Sequence, residues 1–533
     1  MLNDRDAKAS GGIEQASGDR PVITIAPSDP PPPPDAADEQ VGTIWYRRTS
    51  TILLAGWCLG WAGWIGSGLA GLAGCPRGQH GCYQGPMLTD AGRWWIVAAL
   101  GAVPLAGLCL FERRHPPTRV PRSAPRRIGR RWLLLGSVAG TLVGAHLVLL
   151  GPWVEHPFCA VRVRVNSVMA YPVNCDSNEF LRLAHDPGRV LNYHSSRQAR
   201  PGYVLLSAAA TATVGPVTHA LRLDRVYRQA DRAYLPLVAI NLAVTVTAVA
   251  LLAWLLAGLG TPRAATVALC GLVAVNEVTK AFTWTPHQQT FAFLVPVLTV
   301  VAGRWLLLHR PAWPRLAAFG VMLGAASLVY GSFLITVAAV VPILLARGRL
   351  GLLPAGAFLA AFAAPQLAWI AVCRLVTGDY YNLETAQYDE FIWLAKAVKP
   401  GGNDLWAQSR DMTVTTLRAV FVAGTVSLLI IVALAALAVL LRVRLGTLTA
   451  EQRATLVAAG LTIAAAVAFT WGIGIIADRL MFHAMPALLI VAGWLAARVA
   501  AASPVASRLA SVLVAGAVTL SMWDVVTSYG PYS

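Results

Sequence analysis

The chain has 533 residues, of which 56% are hydrophobic and only 13% charged, about half the charged share of an ordinary soluble protein. A soluble core cannot absorb that composition, and apolar runs of about 18 or more residues recur almost to the C-terminus, as membrane-spanning helices require. The formal charge of +17 is compatible with a nucleic-acid binder, but the basic residues sit mostly between apolar spans, the positive-inside pattern, so membrane lipids and not nucleic acid are the expected surroundings.

Residues 1–42, with a proline run from Pro30 to Pro34, hold too little apolar surface to fold and read as a disordered cytoplasmic tail. The first span starts only near Thr51, after a polar lead unlike that of a cleavable signal peptide. Spans over 51–74 and 91–111 form an N-terminal hairpin within a 43–131 unit. The basic loop that closes this unit, 112–131, sets eight arginines against Glu112. That run places the loop and the N-terminus in the cytoplasm, for a multi-pass protein of the plasma membrane.

From the third span, 132–153, the chain reads as a transmembrane domain over 132–524 with two structured extracytoplasmic loops, 154–232 and 377–412. Within the first loop, 201–221 is only moderately apolar and reads as an interfacial segment that does not cross. In the second, Tyr388, Phe391, Ile392 and Ala395 face Asp389, Glu390 and Lys396 at helical spacing, as in a helix lying on the membrane surface. It reads equally as a packing lid or as a loop that covers substrate. With a hairpin over 315–347 and spans near 233–258, 265–283, 290–307, 351–374, 413–441, 454–476, 483–500 and 507–523, the fold class is an all-α polytopic membrane protein of about 13 helices.

Four cysteines, Cys58, Cys109, Cys270 and Cys373, lie inside apolar spans, and four lie as pairs in two loops. If both loops are extracytoplasmic, Cys75 with Cys82 and Cys159 with Cys175 are the expected disulfides. No lysine stands in a Gly-x-x-x-x-Gly-Lys-Ser/Thr context, so no P-loop of that type is present.

The first loop also carries the residues with chemistry. Asp176 and Glu179 open a short amphipathic segment that ends before Pro187 and Gly188. Either can act as a general base toward an acceptor hydroxyl, and both are equally explained as a capping box. Arg197 and Arg200 stand at the start of 201–221, where a planar guanidinium suits a substrate phosphate or a lipid head group. Glu277 and Lys280 lie i, i+3 in an apolar span, where they neutralise each other or face a polar cavity. Arg479, at the start of a late span, reads from its position as a side chain that snorkels to the interface.

The order of these features resembles the GT-C superfamily of integral membrane glycosyltransferases. The residues that carry the resemblance are Asp176-Ser177, Phe180-Leu181 and Leu183-Ala184, then Arg200-Pro201-Gly202-Tyr203, and near the end Ala477-Asp478-Arg479-Leu480 with Pro486. They extend over about 132–500 and leave out the N-terminal hairpin. The resemblance implies a GT-C-like core and transfer of a sugar from a polyprenyl-phosphate-linked donor to an extracytoplasmic glycan or lipid acceptor of the cell envelope. It implies Asp176 as the base, with Glu179 as the nearby alternative, and Arg197, Arg200 and Arg479 on the donor phosphate. Substrate contacts would then include His287, Tyr203, Glu277 and Lys280. Family members often carry a second acid in a short outer turn; here that turn, 283–289, has none, so either His287 takes its place or no second acid is needed. No cofactor is required by these residues, and a divalent metal stays open. The alternative from another class is a transporter or flippase for a lipid-linked or anionic solute, which predicts inverted repeats and interrupted helices near mid-membrane.

Overall fold

The computed structural model describes residues 130–148, 161–164, 170–173, 176–221, 232–346, 348–398, 405–443, 446–474 and 478–527. The expected tail, the spans over 51–74 and 91–111, nearly all of the basic loop, and Cys75, Cys82, Cys159 and Cys175 lie outside the described residues.

Helix α1 (Arg130–Leu147) is followed by a two-stranded antiparallel ladder, β1 (Val161–Arg164) with β2 (Ala170–Val173), paired Val161 to Val173 and Arg164 to Ala170. Short helix α2 (Asp176–His185) leads to α3 (Pro201–Ala220), and the bundle continues with α4 (Tyr234–Leu259), α5 (Arg263–Ala274), α6 (Glu277–Phe282) and α7 (Phe291–Leu308). Then come α8 (Trp313–Ser327), α9 (Leu334–Leu345), α10 (Arg349–Thr377), the two short helices α11 (Leu383–Tyr388) and α12 (Trp393–Val398), and α13 (Leu405–Leu440). The last elements are α14 (Ala450–Ile473), the single turn α15 (Asp478–Met481), α16 (Met485–Ala500) and α17 (Pro504–Thr527).

Among the described residues, six helical segments are long and apolar enough to cross a membrane: Tyr234–Leu259, Gln288–Leu308, Gly351–Thr377, Leu405–Leu440, Ala450–Ile473 and Pro504–Val526. Shorter apolar helices cover Arg263–Ala274, Gly331–Leu345 and Met485–Ala500. The protein is thus a helical membrane protein, and the strand pair is its one described departure from an all-α chain.

Helix ends follow local chemistry. Thr449 and Gln452 form a reciprocal capping box at the start of α14. At the end of α4, Gly260 takes a left-handed φ of 82° that ends the helix without a Cβ clash. Packing uses small residues where backbones meet. Gly320 and Gly324, one turn apart on α8, lie against the backbone of α10, so that a Cβ at Gly320 would stand 2.7 Å from the Phe358 carbonyl oxygen.

Three local expectations are corrected. The span expected over 265–283 is two helices, because the backbone turns extended at Val275 and Asn276. The surface helix expected around 388–396 is broken between α11 and α12, where Asp389 and Phe391 take φ of 57° and 61°. There Phe391 packs on Phe469, and the Trp393 indole donates to the Gly472 carbonyl at 3.1 Å. The span expected from 413 begins at Leu405.

The break after α5 leaves backbone polar groups in apolar surroundings, where each needs a partner. Asn276 caps α6 by accepting from the Thr279 N–H, and its amide donates back to the Leu272 and Val273 carbonyls. Asn241, fully buried on α4, donates to the carbonyls of Phe282 (2.9 Å) and Thr285 (2.8 Å) and accepts from the Thr290 hydroxyl. Tyr234 donates to the Trp284 carbonyl, and the Trp284 indole donates across to Ala145 of α1. Lys280 donates to the Val525 carbonyl of α17. The connection from α6 to α7 is therefore fixed at both ends.

Asn241→Leu keeps the branched shape but takes the donor from the Thr285 carbonyl and leaves the Phe282 carbonyl only the Thr285 N–H, so it is expected to destabilise the protein by roughly 1–3 kcal/mol. The check is the midpoint of thermal unfolding in detergent, with Val238→Ala on the same helix as a size control. A midpoint unchanged by Asn241→Leu would show that the carbonyls have other partners.

Candidate functional site

One end of the bundle gathers the polar residues. The turn after α6 presents His287, Gln288 and Gln289, all buried. Beside it stand the start of α3, the turn between α8 and α9 that carries Tyr330, and the α15 turn with Arg479 and His483. The opposite end has other pairs, including Arg304 with Glu451 at 2.8 Å and Arg498 with the Thr447 carbonyl.

Helix α3 is held at both ends by backbone of neighbouring elements. The Gly202 N–H donates to the Leu328 carbonyl at the end of α8, while Gly215 lies against the carbonyl of Arg232, two residues before α4.

Three arginines converge here from two distant parts of the chain. Arg197 is buried, with its guanidinium 4.7 Å from the centre of the Phe180 ring, and Arg479 stands 5.8 Å from the Phe282 ring. Arg200, at the N-cap position of α3, faces the Gln288 amide, whose oxygen, once the amide is turned toward the guanidinium, accepts from Nε at 3.1 Å. Gln289 reaches from the turn toward the Arg479 carbonyl. The rings of Phe180 and Phe282 flank His287 at 5.7 and 5.0 Å, and Tyr203 is packed edge-on against Phe180 at 4.8 Å.

Electrostatics follow from this crowding. Burial holds the His287 imidazole well below the usual histidine range, and the charges of Arg479, Arg197 and Arg200 push it the same way. Burial likewise raises the Tyr330 phenol to about 12, against the lowering effects of the Ser332 and Gln289 hydrogen bonds and of Arg200 and Arg479. Tyr330 shares a 3.3 Å hydrogen bond with Nε2 of His483, whose Nδ1 meets the Leu480 carbonyl. The carbonyl can only accept, so Nδ1 carries the proton and Nε2 accepts from the phenol.

The expected site residues divide accordingly. Arg197, Arg200, Arg479 and His287 come together, and Tyr203 supports them from the α3 side as a fully buried packing residue. Asp176 is the first residue of α2, and its side chain lies outside the described residues; Glu179 is half-buried one turn along. Phe180, on the same helix, links α2 to Arg197 and His287. Ser177 is fully buried, and its hydroxyl has no hydrogen-bond partner among the described residues. Lys280 is taken up by Val525, and Glu277 is half-buried at the start of α6. Among the described residues no three His, Cys, Asp or Glu side chains group to hold a metal ion, and no step below uses one.

The residues that the sequence did not single out are Gln288, Gln289, Tyr330 and His483. Their one signal is a polar or aromatic residue at the border of an apolar run. No family model, curated protein or solved structure matches the chain.

His483 carries a pH prediction. Burial lowers its pKa to about 4, opposed by the Leu480 carbonyl. An unfolded histidine titrates near 6.5, so on acidification the unfolded chain takes up its proton first. Stability is therefore full above about 6.5 and falls as the pH drops toward 4, by on the order of 3 kcal/mol from this group. Melting temperatures in detergent should decline across that window, and less steeply for His483→Gln; equal slopes would refute the assignment.

Proposed function

We propose that the protein is a GT-C-type membrane glycosyltransferase with about 13 spans, including those expected over 51–74 and 91–111. The polar end of the bundle faces outward from the plasma membrane. The donor is a polyprenyl-phosphate-linked sugar, and the acceptor is a hydroxyl of an envelope glycan or lipid. The observation that carries this reading is the convergence of Arg197, Arg200 and Arg479 on one buried turn.

The chemistry matches that charge. Asp176, with Glu179 as the nearby alternative, removes the proton of the acceptor hydroxyl, and the oxygen attacks the anomeric carbon as its bond to the donor phosphate breaks. The departing phosphate passes from one negative charge toward two. Three guanidiniums fixed around it therefore bind the transition state more tightly than the ground state. The flanking rings hold two of the guanidiniums in place without neutralising them. A single displacement inverts the anomeric centre.

The test is transfer from synthetic polyprenyl-phospho-sugars by the purified protein. Asp176→Asn is expected to lower kcat by roughly a hundredfold or more, with Glu179→Gln affecting it less. Arg200→Ala should lower kcat/KM by about tenfold or more. Full turnover in both carboxylate variants, with unchanged melting, would remove the base assignment.

The break between α5 and α6 favours one second reading, a flippase, since interrupted helices are its expected signature. Movement of a fluorescent polyprenyl phosphosugar across vesicles, without any glycosyl product, would select it.

A further inference from the structure

His287 sits where a proton-transfer residue would be expected, yet its surroundings give it another part. The ring is 4% exposed and wedged between Phe180 and Phe282. Its Nδ1 accepts the N–H of Gln289 at 3.1 Å, which caps the turn leading into α7. An imidazole nitrogen that accepts carries no proton, so the neutral ring holds its hydrogen on Nε2. Among the described residues no group takes up that Nε2. The ring is almost wholly buried, while Nε2 is not among the fully enclosed polar atoms, so a donor with no protein partner stands open to a ligand oxygen beside three guanidiniums.

We propose that His287 contacts the ligand directly, presenting an Nε2–H donor to a phosphate oxygen and exchanging no proton with it. The inference rests on the phosphate reading of the site given above. A proton on Nδ1 would break the turn's cap and add a fourth cation to Arg197, Arg200 and Arg479. Among the described titratable groups near the turn, Tyr330 on the α8–α9 side and His483 beside α15 are both neutral, and their mutual hydrogen bond engages the His483 Nε2. Glu179, on α2 with Phe180, is the one carboxylate of that helix whose side chain is described. The site thus recognises its anion through three permanent charges and one neutral donor, a set whose charge stays constant between about pH 5.5 and 8.

The experiment uses the full-length protein in detergent and a short isoprenyl methyl phosphodiester, whose single charge is fixed over this range and which offers no sugar to transfer. Wild type should bind with the same Kd at pH 5.5 and pH 8. His287→Asn keeps an oxygen that accepts the Gln289 N–H but removes the distal donor, so it should melt like wild type and bind about tenfold to a hundredfold more weakly. His287→Gln places an amide N–H near the Nε2 position and should recover part of that affinity. With 15N-labelled histidine, His287 should show a bare Nδ1 and a protonated Nε2. Unchanged binding in His287→Asn overturns the proposal alone, as does an affinity in wild type that changes with pH through a histidine lost in the variant. Absence of binding by wild type overturns the phosphate reading and this inference together. Loss of sugar transfer with intact probe binding overturns only the glycosyltransferase assignment.

Discussion

The site depends on the repair of one broken helix. In apolar surroundings an interrupted backbone persists only where each freed N–H and C=O finds a partner. Between α5 and α7 those partners are side chains brought from elsewhere: Asn241 and Tyr234 from α4, and Asn276 from the break itself. The Trp284 indole extends the anchoring to the backbone of α1. Because the turn is tied to two neighbouring helices, His287, Gln288 and Gln289 keep fixed positions at the end of the bundle. A continuous helix would have turned these side chains around its axis, and the arginines would have had no common target.

Around that turn, cations and rings are arranged in layers. Phe180 lies between Arg197 and His287, and Phe282 lies between Arg479 and His287. Each ring thus serves a cation with one part of its surface and the imidazole with another. The aromatic layer restricts the guanidiniums to a few orientations while preserving their full charge. Burial keeps the histidine neutral between them, so the cluster gains a donor without further repulsion.

Much of the helical framework was legible because apolar runs of sufficient length admit little else in a membrane: α4, α7, α10, α14, α16 and α17 start and end close to where composition changes. Arg197, Arg200, Arg479 and His287 were legible as polar residues at the borders of those runs. The break at Val275 and Asn276 was not, because Cys270 to Val275 is apolar throughout and a single Asn in such a run does not reveal that its amide will cap one helix and close another. The break at Asp389 to Ile392 was hidden for the opposite reason. Its charges and rings do repeat at helical spacing, but Phe391 and Trp393 are engaged by Phe469 and Gly472 of α14, contacts distant in sequence that the local pattern does not contain. Gln289, Tyr330 and His483 are paired across separations that no local pattern encodes.

The seat of Gly202 against Leu328 sets an order of synthesis for the site. Helix α3 leaves the ribosome long before the end of α8 exists to receive it, and Arg479 follows later still. During translation the arginines of the first half have neither their turn nor their third companion, so the arginine cluster closes only as α15 and α16 join the bundle. A chain interrupted before that point would hold most of its helices in the bilayer and yet lack the third arginine of the cluster.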